Sequence, residues 1–341
     1  MTVFLRCDAG GGFGLGHAMR CRTLAQAIHA QSPEMPLVFV TTTPALRSCI
    51  DKIDGEGWRL VVCSDEWEAF EAVRAQAQSE DVLLFDMPRG MEWVAGRRQL
   101  RLLQTVRVVR IDAPWAKPDS CDLLILPGMH HSAETIDRLD AAFGDRLLVG
   151  AEYMLLQDDL LEYRRHWHDR DAGIAWYAGG SDPECALPQF YIMTRQLHAM
   201  LGYAETFLYL VGPLSKPWKL DPPSHHDFIT GFSPMALAQS GLFVSLWGTT
   251  VYEAMALGTP TLTIARTEDE AEDACRLEAA TDGAVQSLGT LAGLMRETLC
   301  DRLVALWEDT KERKRMYYAS EGLLNGKGAE RVARAVLGLR I

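Results

Sequence analysis

The stretch Val3-Phe4-Leu5-Arg6-Cys7-Asp8, followed after Ala9 by Gly10-Gly11-Gly12-Phe13-Gly14-Leu15-Gly16-His17, decides how the chain is read. Val3–Asp8 is a short apolar run of the kind that forms a buried strand. From His17 to His29 the period changes, and Cys21, Leu24, Ala25 and Ile28 share one face of a helix. The glycines between them allow backbone conformations closed to other residues, and the first N–H groups of the helix point outward. Strand, glycine turn and helix together open a parallel α/β sheet. The spacing is not the dinucleotide fingerprint: no G-x-G-x-x-G can be read from Gly10 to Gly16, and no acidic residue closes a second strand about 20 residues on. No Gly-Lys-Ser/Thr follows, which excludes a P-loop. Two readings of the turn stay open, a tight strand–helix connection and a ligand-binding loop.

Its last residue favours the second. His17 falls in the first turn of the helix, where the macrodipole disfavours an imidazolium and favours an imidazole able to accept a proton. Asp8, at the end of the strand, is the carboxylate expected to orient it. Strand ends are where α/β sheets place their ligands.

Working outward, Pro36–Thr42, Arg59–Cys63, Val82–Asp86, Val106–Ile111 and Leu123–Leu126 read as further buried strands, with helices expected at Trp67–Ala77 and Gly90–Leu103. The strongly charged stretch from Leu156 to Asp171 is read as an interdomain connection. A second series then begins, with strands at Gly173–Ala178, Thr206–Val211, Asp227–Ile229, Leu242–Leu246 and Thr261–Ala265. Helices are expected between them, then from Leu291 to Ser320, and last at Ala329–Leu339. This gives an N-terminal Rossmann-like domain of residues 1–155, completed by residues 329–341, and a second Rossmann-like domain of residues 172–328. A chain of 341 residues suits two such domains.

The second half carries two more turns. Ala178-Gly179-Gly180-Ser181-Asp182-Pro183 follows a strand, and Ser181 or Asp182 is placed to cap the next helix. Trp247-Gly248-Thr249-Thr250 follows another, with Glu253 one turn into the helix. That geometry suits a diphosphate on Gly248, Thr249 and Thr250 and a ribose on Glu253; the same spacing also fits a Thr250–Glu253 capping box. Trp176-Tyr177 reads as core. His130-His131 and His225-His226 have no carboxylate or cysteine at ligand spacing, so no metal and no other cofactor is expected.

Composition limits the function classes. Hydrophobic residues make up 48% of the chain and charged residues 23%, as in a water-soluble globular protein. A net charge of −12 leaves no basic stripe for nucleic acid. Eight scattered cysteines form no CxxC and suit a reducing compartment. The opening run is unlike a signal peptide, and no apolar stretch is long enough to span a bilayer, so a cytoplasmic protein acting as a monomer is expected.

Arg6-x-Asp8 with Gly14-Leu15-Gly16-His17-Ala18-Met19-Arg20-Cys21-x-Thr23-Leu24-Ala25 resembles the opening motif of the pseudaminic-acid pathway hydrolases. Those enzymes remove UDP from UDP-2,4-diacetamido-2,4,6-trideoxy-β-L-altropyranose, and spore-coat polysaccharide proteins share the motif. Four more segments match in order: Gly150-x-Glu152-Tyr153-x-Leu155-Leu156, Gly179–Pro183, Gly248-Thr249-Thr250-x-x-Glu253-x-x-x-Leu257-Gly258-x-Pro260, and Gly326-Lys327-Gly328-Ala329-x-Arg331-Val332. The family is similar to the lipid-linked peptidoglycan glycosyltransferases. The resemblance therefore implies a GT-B-like α/β fold, two Rossmann-like domains facing across a cleft.

It further implies a UDP-sugar substrate. Gly248, Thr249 and Thr250 would meet the phosphates and Glu253 the ribose. Ile229 and Phe232 would meet the uracil, and Gly14, Gly16, Arg20, Gly180 and Ser181 other parts of the substrate. His17 would activate a water. UDP leaves readily, so one base suffices. Three positions depart from the family pattern: Trp247 replaces a glycine, Met87-Pro88 replaces His-Tyr after Asp86, and the acidic Glu268-Asp269-Glu270 replaces an Asn-Gln pair. The activities consistent with this sequence are a nucleotide-sugar hydrolase, a glycosyltransferase of the same fold, and a non-catalytic nucleotide-sugar binder. No basic-aromatic face for a lipid acceptor is evident, which favours hydrolysis.

Overall fold

The computed structural model describes residues 1–50, 58–88, 106–170, 173–194, 197, 206–218 and 227–339. The chain divides into two compact units: Met1–Asp158 with Gly326–Ile341, and Asp159–Asn325. The first holds a seven-stranded sheet in the order β3-β2-β1-β4-β5-β6-β7. Its strands are β1 Val3–Arg6, β2 Leu37–Thr41, β3 Trp58–Val62, β4 Val82–Phe85, β5 Arg107–Ile111, β6 Leu123–Pro127 and β7 Leu147–Gly150. Every pairing is parallel. Parallel strands are covered on both faces, so β1, β2, β4 and β6 are buried along their whole length.

The second unit repeats the plan with six strands in the order β10-β9-β8-β11-β12-β13. These are β8 Ile174–Tyr177, β9 Phe207–Val211, β10 Asp227–Gly231, β11 Leu242–Leu246, β12 Thr261–Ala265 and β13 Val285–Thr290. This is the doubly wound order, in which the chain reverses its direction of winding between the two central strands. The reversal lies between β1 and β4 in the first sheet and between β8 and β11 in the second.

Among the elements not expected from sequence are β7, β13 and the helix Ala133–Phe143, capped by Ser132 accepting from the Thr135 amide. The boundary between the units, Asp158/Asp159, falls inside the charged stretch Leu156–Asp171, most of which counts with the second unit. Its turn Leu160–Tyr163 packs against the helices Pro234–Gln239 and Thr249–Leu257, and Arg164 donates to the Ala256 carbonyl at 2.8 Å. The helix expected at Gly90–Leu103 and the pair His225-His226 lie outside the described residues.

The last helix, Gly328–Leu337, belongs to the first unit. Ala329, Val332, Ala333 and Val336 are buried at helical spacing, and the helix packs on the helix Gly16–Gln31. Gln31 Nε2 donates to the Glu330 carbonyl and Arg331 to the Glu152 carbonyl. Gly328 is fixed by backbone contact, since a Cβ there would fall 2.1 Å from the Met154 carbonyl oxygen. Burying each valine contributes about 1.5–3 kcal/mol. Among the described residues no helix is long and apolar enough to cross a membrane.

Candidate active site

Each sheet presents a cluster of polar residues at its winding reversal. In the first unit the glycine turn closes on itself, with the Gly10 amide donating to the Gly14 carbonyl at 2.7 Å and the Phe13 amide to Gly10 at 3.0 Å. Gly10 and Gly14 adopt φ +79° and +65°, and a Cβ at Gly12 or Gly14 would meet nothing within 4 Å. The turn is therefore open as well as tight. The helix begins at Gly16 with no side chain capping its N-terminus.

His17 is the second residue of that helix, with its side chain 20% exposed. Its Nδ1 lies 2.7 Å from Asp86 Oδ1, at the end of β4 and 69 residues away in sequence. A carboxylate only accepts, so Nδ1 donates to Asp86, and in the neutral ring the lone pair is then on Nε2; Arg20 Nη2 lies 3.2 Å from the same Nδ1. No hydrogen bond to Nε2 forms among the described residues. Arg20, one helical turn on, donates from Nε and Nη2 to the two Asp86 oxygens at 2.9 and 2.7 Å and from Nη1 to Asp112 Oδ2 at 2.6 Å. Burial opposes the Arg20 charge, but Asp86 and Asp112 outweigh it and raise its pKa above the ordinary arginine value. Asp86 is fully buried, so its position is fixed by these donors and by the sheet.

Asp8 was the carboxylate expected beside His17, and its hydrogen bonds run elsewhere. It receives both Arg6 Nη1 and Nη2 at 2.8 Å, Thr41 Oγ1 at 2.6 Å, the Thr42 amide at 2.8 Å and Thr42 Oγ1 at 2.9 Å. Arg6 also bonds Glu66. Alternate residues of a strand share a face, so Arg6-x-Asp8 pairs with itself. Burial alone would raise the Asp8 carboxyl, but Arg6, Thr41 and Thr42 bring it down to about 2. Asp8 ties β1 to β2; Asp86 orients His17.

Two further groups join this end of the sheet. His130 and His131 follow β6, and their Nε2 atoms lie 4.0 and 3.9 Å from Asp112 Oδ1. The carboxylate missing from their sequence neighbourhood thus arrives from the end of β5. Pairing of β5 with β6 is the signal that finds it, and ligand spacing along the chain is not.

In the second unit Gly179, Gly180 and Ser181 follow β8, and the Asp182 carboxylate caps the next helix by accepting from the Ala186 and Leu187 amides at 2.7 and 3.1 Å. The Gly180 carbonyl accepts from the Leu214 amide at 2.9 Å. After β11, Gly248 takes φ +156° and ψ −170°, a conformation essentially reserved for glycine, and a Cβ there would meet nothing within 4 Å. It is the N-cap of Thr249–Leu257, and no side chain caps that helix. Thr250 therefore lies inside the helix, which excludes the capping-box reading. The uncapped amides and the threonine hydroxyls form a cradle suited to an anion.

Beside it, Glu253 hydrogen-bonds Thr250, and burial raises its carboxyl to about 7. Tyr177, at the end of β8, packs against Phe232 with the rings tilted by 33° and their centroids 4.6 Å apart, and burial and nearby Glu253 raise its phenol. Tyr177 is buried, 5% exposed, as its reading as core implies, and lies near Glu253. Trp176 is core, fully buried and stacked on Tyr209. Ile229 on the edge strand β10 is 39% exposed, with Phe228 beside it at 50%.

No protein-family model matches the chain. A spore coat polysaccharide biosynthesis protein, SpsG of Bacillus subtilis (strain 168), is 20% identical over 343 residues, covering 97% of this chain and 96% of its own. Among solved structures, the S. aureus MnaA–UDP co-structure superposes with a TM-score of 0.67 at 15% identity, covering 100% of this chain and 98% of that one. Acinetobacter baumannii MurG gives 0.62 at 11%, covering 99% and 100%. With two doubly wound parallel sheets in one chain, the likeness settles the architecture.

The fold is GT-B.

Within the GT-B frame the three sequence departures acquire positions. Trp247, in place of a glycine, is only 9% exposed and packs edge-on against Tyr252 at 6.4 Å. Met87 is 3% exposed and its side chain joins the core. The acidic run Glu268-Asp269-Glu270 occupies the first turn of the helix Glu268–Ala280, where the macrodipole favours it. Glu268 and Asp269 are exposed, while Glu270 pairs with Arg266, whose Nη2 also donates to the Trp247 carbonyl at 3.2 Å.

Proposed function

We propose that this GT-B protein is a hydrolase that releases UDP from a UDP-2,4-diacetamido-2,4,6-trideoxyhexose in nonulosonic (pseudaminic) acid biosynthesis, acting in the cytoplasm. The observation that carries the reading is the Asp86–His17 pair. A buried carboxylate on Nδ1 fixes the tautomer and leaves Nε2 as a base toward water, the arrangement general-base catalysis needs. Asp86 and Arg20 hold the ring, so the imidazolium formed on proton transfer meets a carboxylate already in place. The Gly248–Glu253 turn is assigned to the nucleotide, with diphosphate on the helix N-terminus and ribose on Glu253. Phe232 and Ile229 are assigned to the uracil. The UDP held by MnaA in a similar fold supports this assignment.

Incubation with UDP-2,4-diacetamido-2,4,6-trideoxyhexoses, following UDP with and without sugar acceptors, tests the reaction. Release without an acceptor supports hydrolysis, release only with one makes the protein a transferase, and no turnover of any donor leaves a binder. Asp86→Asn keeps the side-chain volume but permits the other tautomer. It is expected to slow UDP release by on the order of 10²-fold while leaving UDP affinity unchanged. Equal losses of rate and affinity would remove the orienting role.

Glu253 gives the nucleotide site a pH signature. If ribose hydroxyls donate to its carboxylate, UDP binds the ionised form, so affinity rises as pH climbs through about 7 and falls below it. The UDP-induced rise in melting temperature is expected to be larger at pH 8 than at pH 6, and Glu253→Gln to level the two apart from phosphate titration common to both proteins. An unchanged pH dependence in Glu253→Gln would place the ribose elsewhere.

A further inference from the structure

Asp112, His130 and His131 have no part in the roles given to His17 and Asp86, and the sheet assembles them deliberately close. Asp112 directly follows β5; His130 and His131 follow β6 across Gly128 and Met129. The two strands pair in parallel with Ile111 against Ile125, so their ends lie side by side. The donor atoms of the three side chains all lie within 4.8 Å of one another, and the two imidazoles are 4.1 Å apart between centroids. The side chains are 25%, 12% and 5% exposed. Asp112 adopts φ +55°, a left-handed conformation uncommon outside glycine, held while Oδ2 is fixed by Arg20. The other oxygen, Oδ1, is left facing both histidines.

The distances define what fits between them. At 3.9 and 4.0 Å the Asp112–imidazole separations exceed a hydrogen bond. A metal ion with N and O ligands at roughly 2.0–2.1 Å sets ligand–ligand separations of about 3.3 Å in a tetrahedron. The two Asp112–histidine separations need to close by about 0.6–0.7 Å, a distance side-chain rotation covers. Charge favours a cation: Asp86 and Asp112 face one guanidinium, Arg20, so with neutral histidines the cluster carries one net negative charge.

We propose that Asp112, His130 and His131 form a binding site for a divalent transition-metal ion, Zn²⁺ foremost, with at least one coordination position left open. Two imidazoles and one carboxylate are the ligand set of open zinc sites, and imidazole prefers Zn²⁺ over Mg²⁺ or Ca²⁺. Gly128, at φ +103°, takes a conformation that favours glycine directly after β6, two residues before His130. The site is independent of the hydrolase reading.

The test uses the full-length protein without a histidine tag, stripped with chelator and titrated with Zn²⁺ by calorimetry and with Co²⁺ by visible absorption. One ion per chain is expected, with imidazole-type Co²⁺ bands. His130→Ala and His131→Ala should each weaken binding at least ~10-fold, and His17→Ala should not. Near-UV circular dichroism confirms that each variant is folded, and Asp112→Asn provides a third ligand change of unaltered size. No stoichiometric binding, unchanged affinity in both histidine variants, loss in His17→Ala, or thiolate-to-cobalt charge transfer marking a cysteine ligand would each overturn the site.

Discussion

Replacing His17 with alanine is expected to slow UDP release by ~10²–10⁴-fold, about 2.7–5.5 kcal/mol of barrier, with UDP binding unchanged. The size follows from what is lost. Nε2 is the atom assigned to take a proton from water, and the described residues hydrogen-bonded around the ring, Asp86 and Arg20, have their own geometry committed to holding it. The fold should tolerate the change, because the side chain is 20% exposed and Asp86 keeps its two bonds to Arg20. UDP-induced stabilisation, read on the second unit, separates a dead catalyst from a dead binder. Release that continues undiminished in His17→Ala would end the general-base mechanism.

The second large effect is on stability. Asp8→Ala is expected to destabilise the first unit by ~3–5 kcal/mol, the range for removing one partner of a buried ion pair. Arg6 is fully buried and would keep only Glu66 as a charged partner, beside the Val40 carbonyl, while Thr41 and Thr42 would lose their common acceptor. The native carboxyl is held at about 2 against an ordinary 3.8, so it is depressed on folding. Its contribution is therefore complete above pH ~4 and is lost as pH falls from there through about 2. Urea unfolding at pH 7 and pH 3 should show a smaller acid loss in Asp8→Ala than in the parent. A stable Asp8→Ala protein without UDP release would restore the catalytic role that sequence suggested.

That contrast shows how far the chain can be read unaided. Strands buried on both faces announce themselves as apolar runs, as Val82–Phe85 does, and these placed both sheets. The strands that escaped, β7 and β13, are sheet edges, only partly buried for most of their length; β13 adds the polar Gln286 and Ser287 and a glycine at 289. A period-2 pattern half open to solvent is weak evidence. His17 was legible because glycine turn and helix start are local features. Its partner was not, since Asp86 reaches it only when β4 lies beside β1. Proximity in sequence favoured Asp8 instead, although its i, i+2 spacing from Arg6 already contained the correct pairing. His130 and His131 failed for the same reason: their carboxylate lies on the neighbouring strand.

The return of Gly328–Leu337 to the first unit has a consequence for how the protein is made. The face of the helix Gly16–Gln31 that this segment covers exists early in synthesis, yet its cover follows only after the whole second unit has been joined. The second unit, an unbroken run from Asp159 to Asn325, can close while synthesis is still under way. The first, which carries His17, waits for residues that follow the whole of the second. A nascent chain therefore completes its assigned nucleotide site before the unit bearing its proposed base is whole.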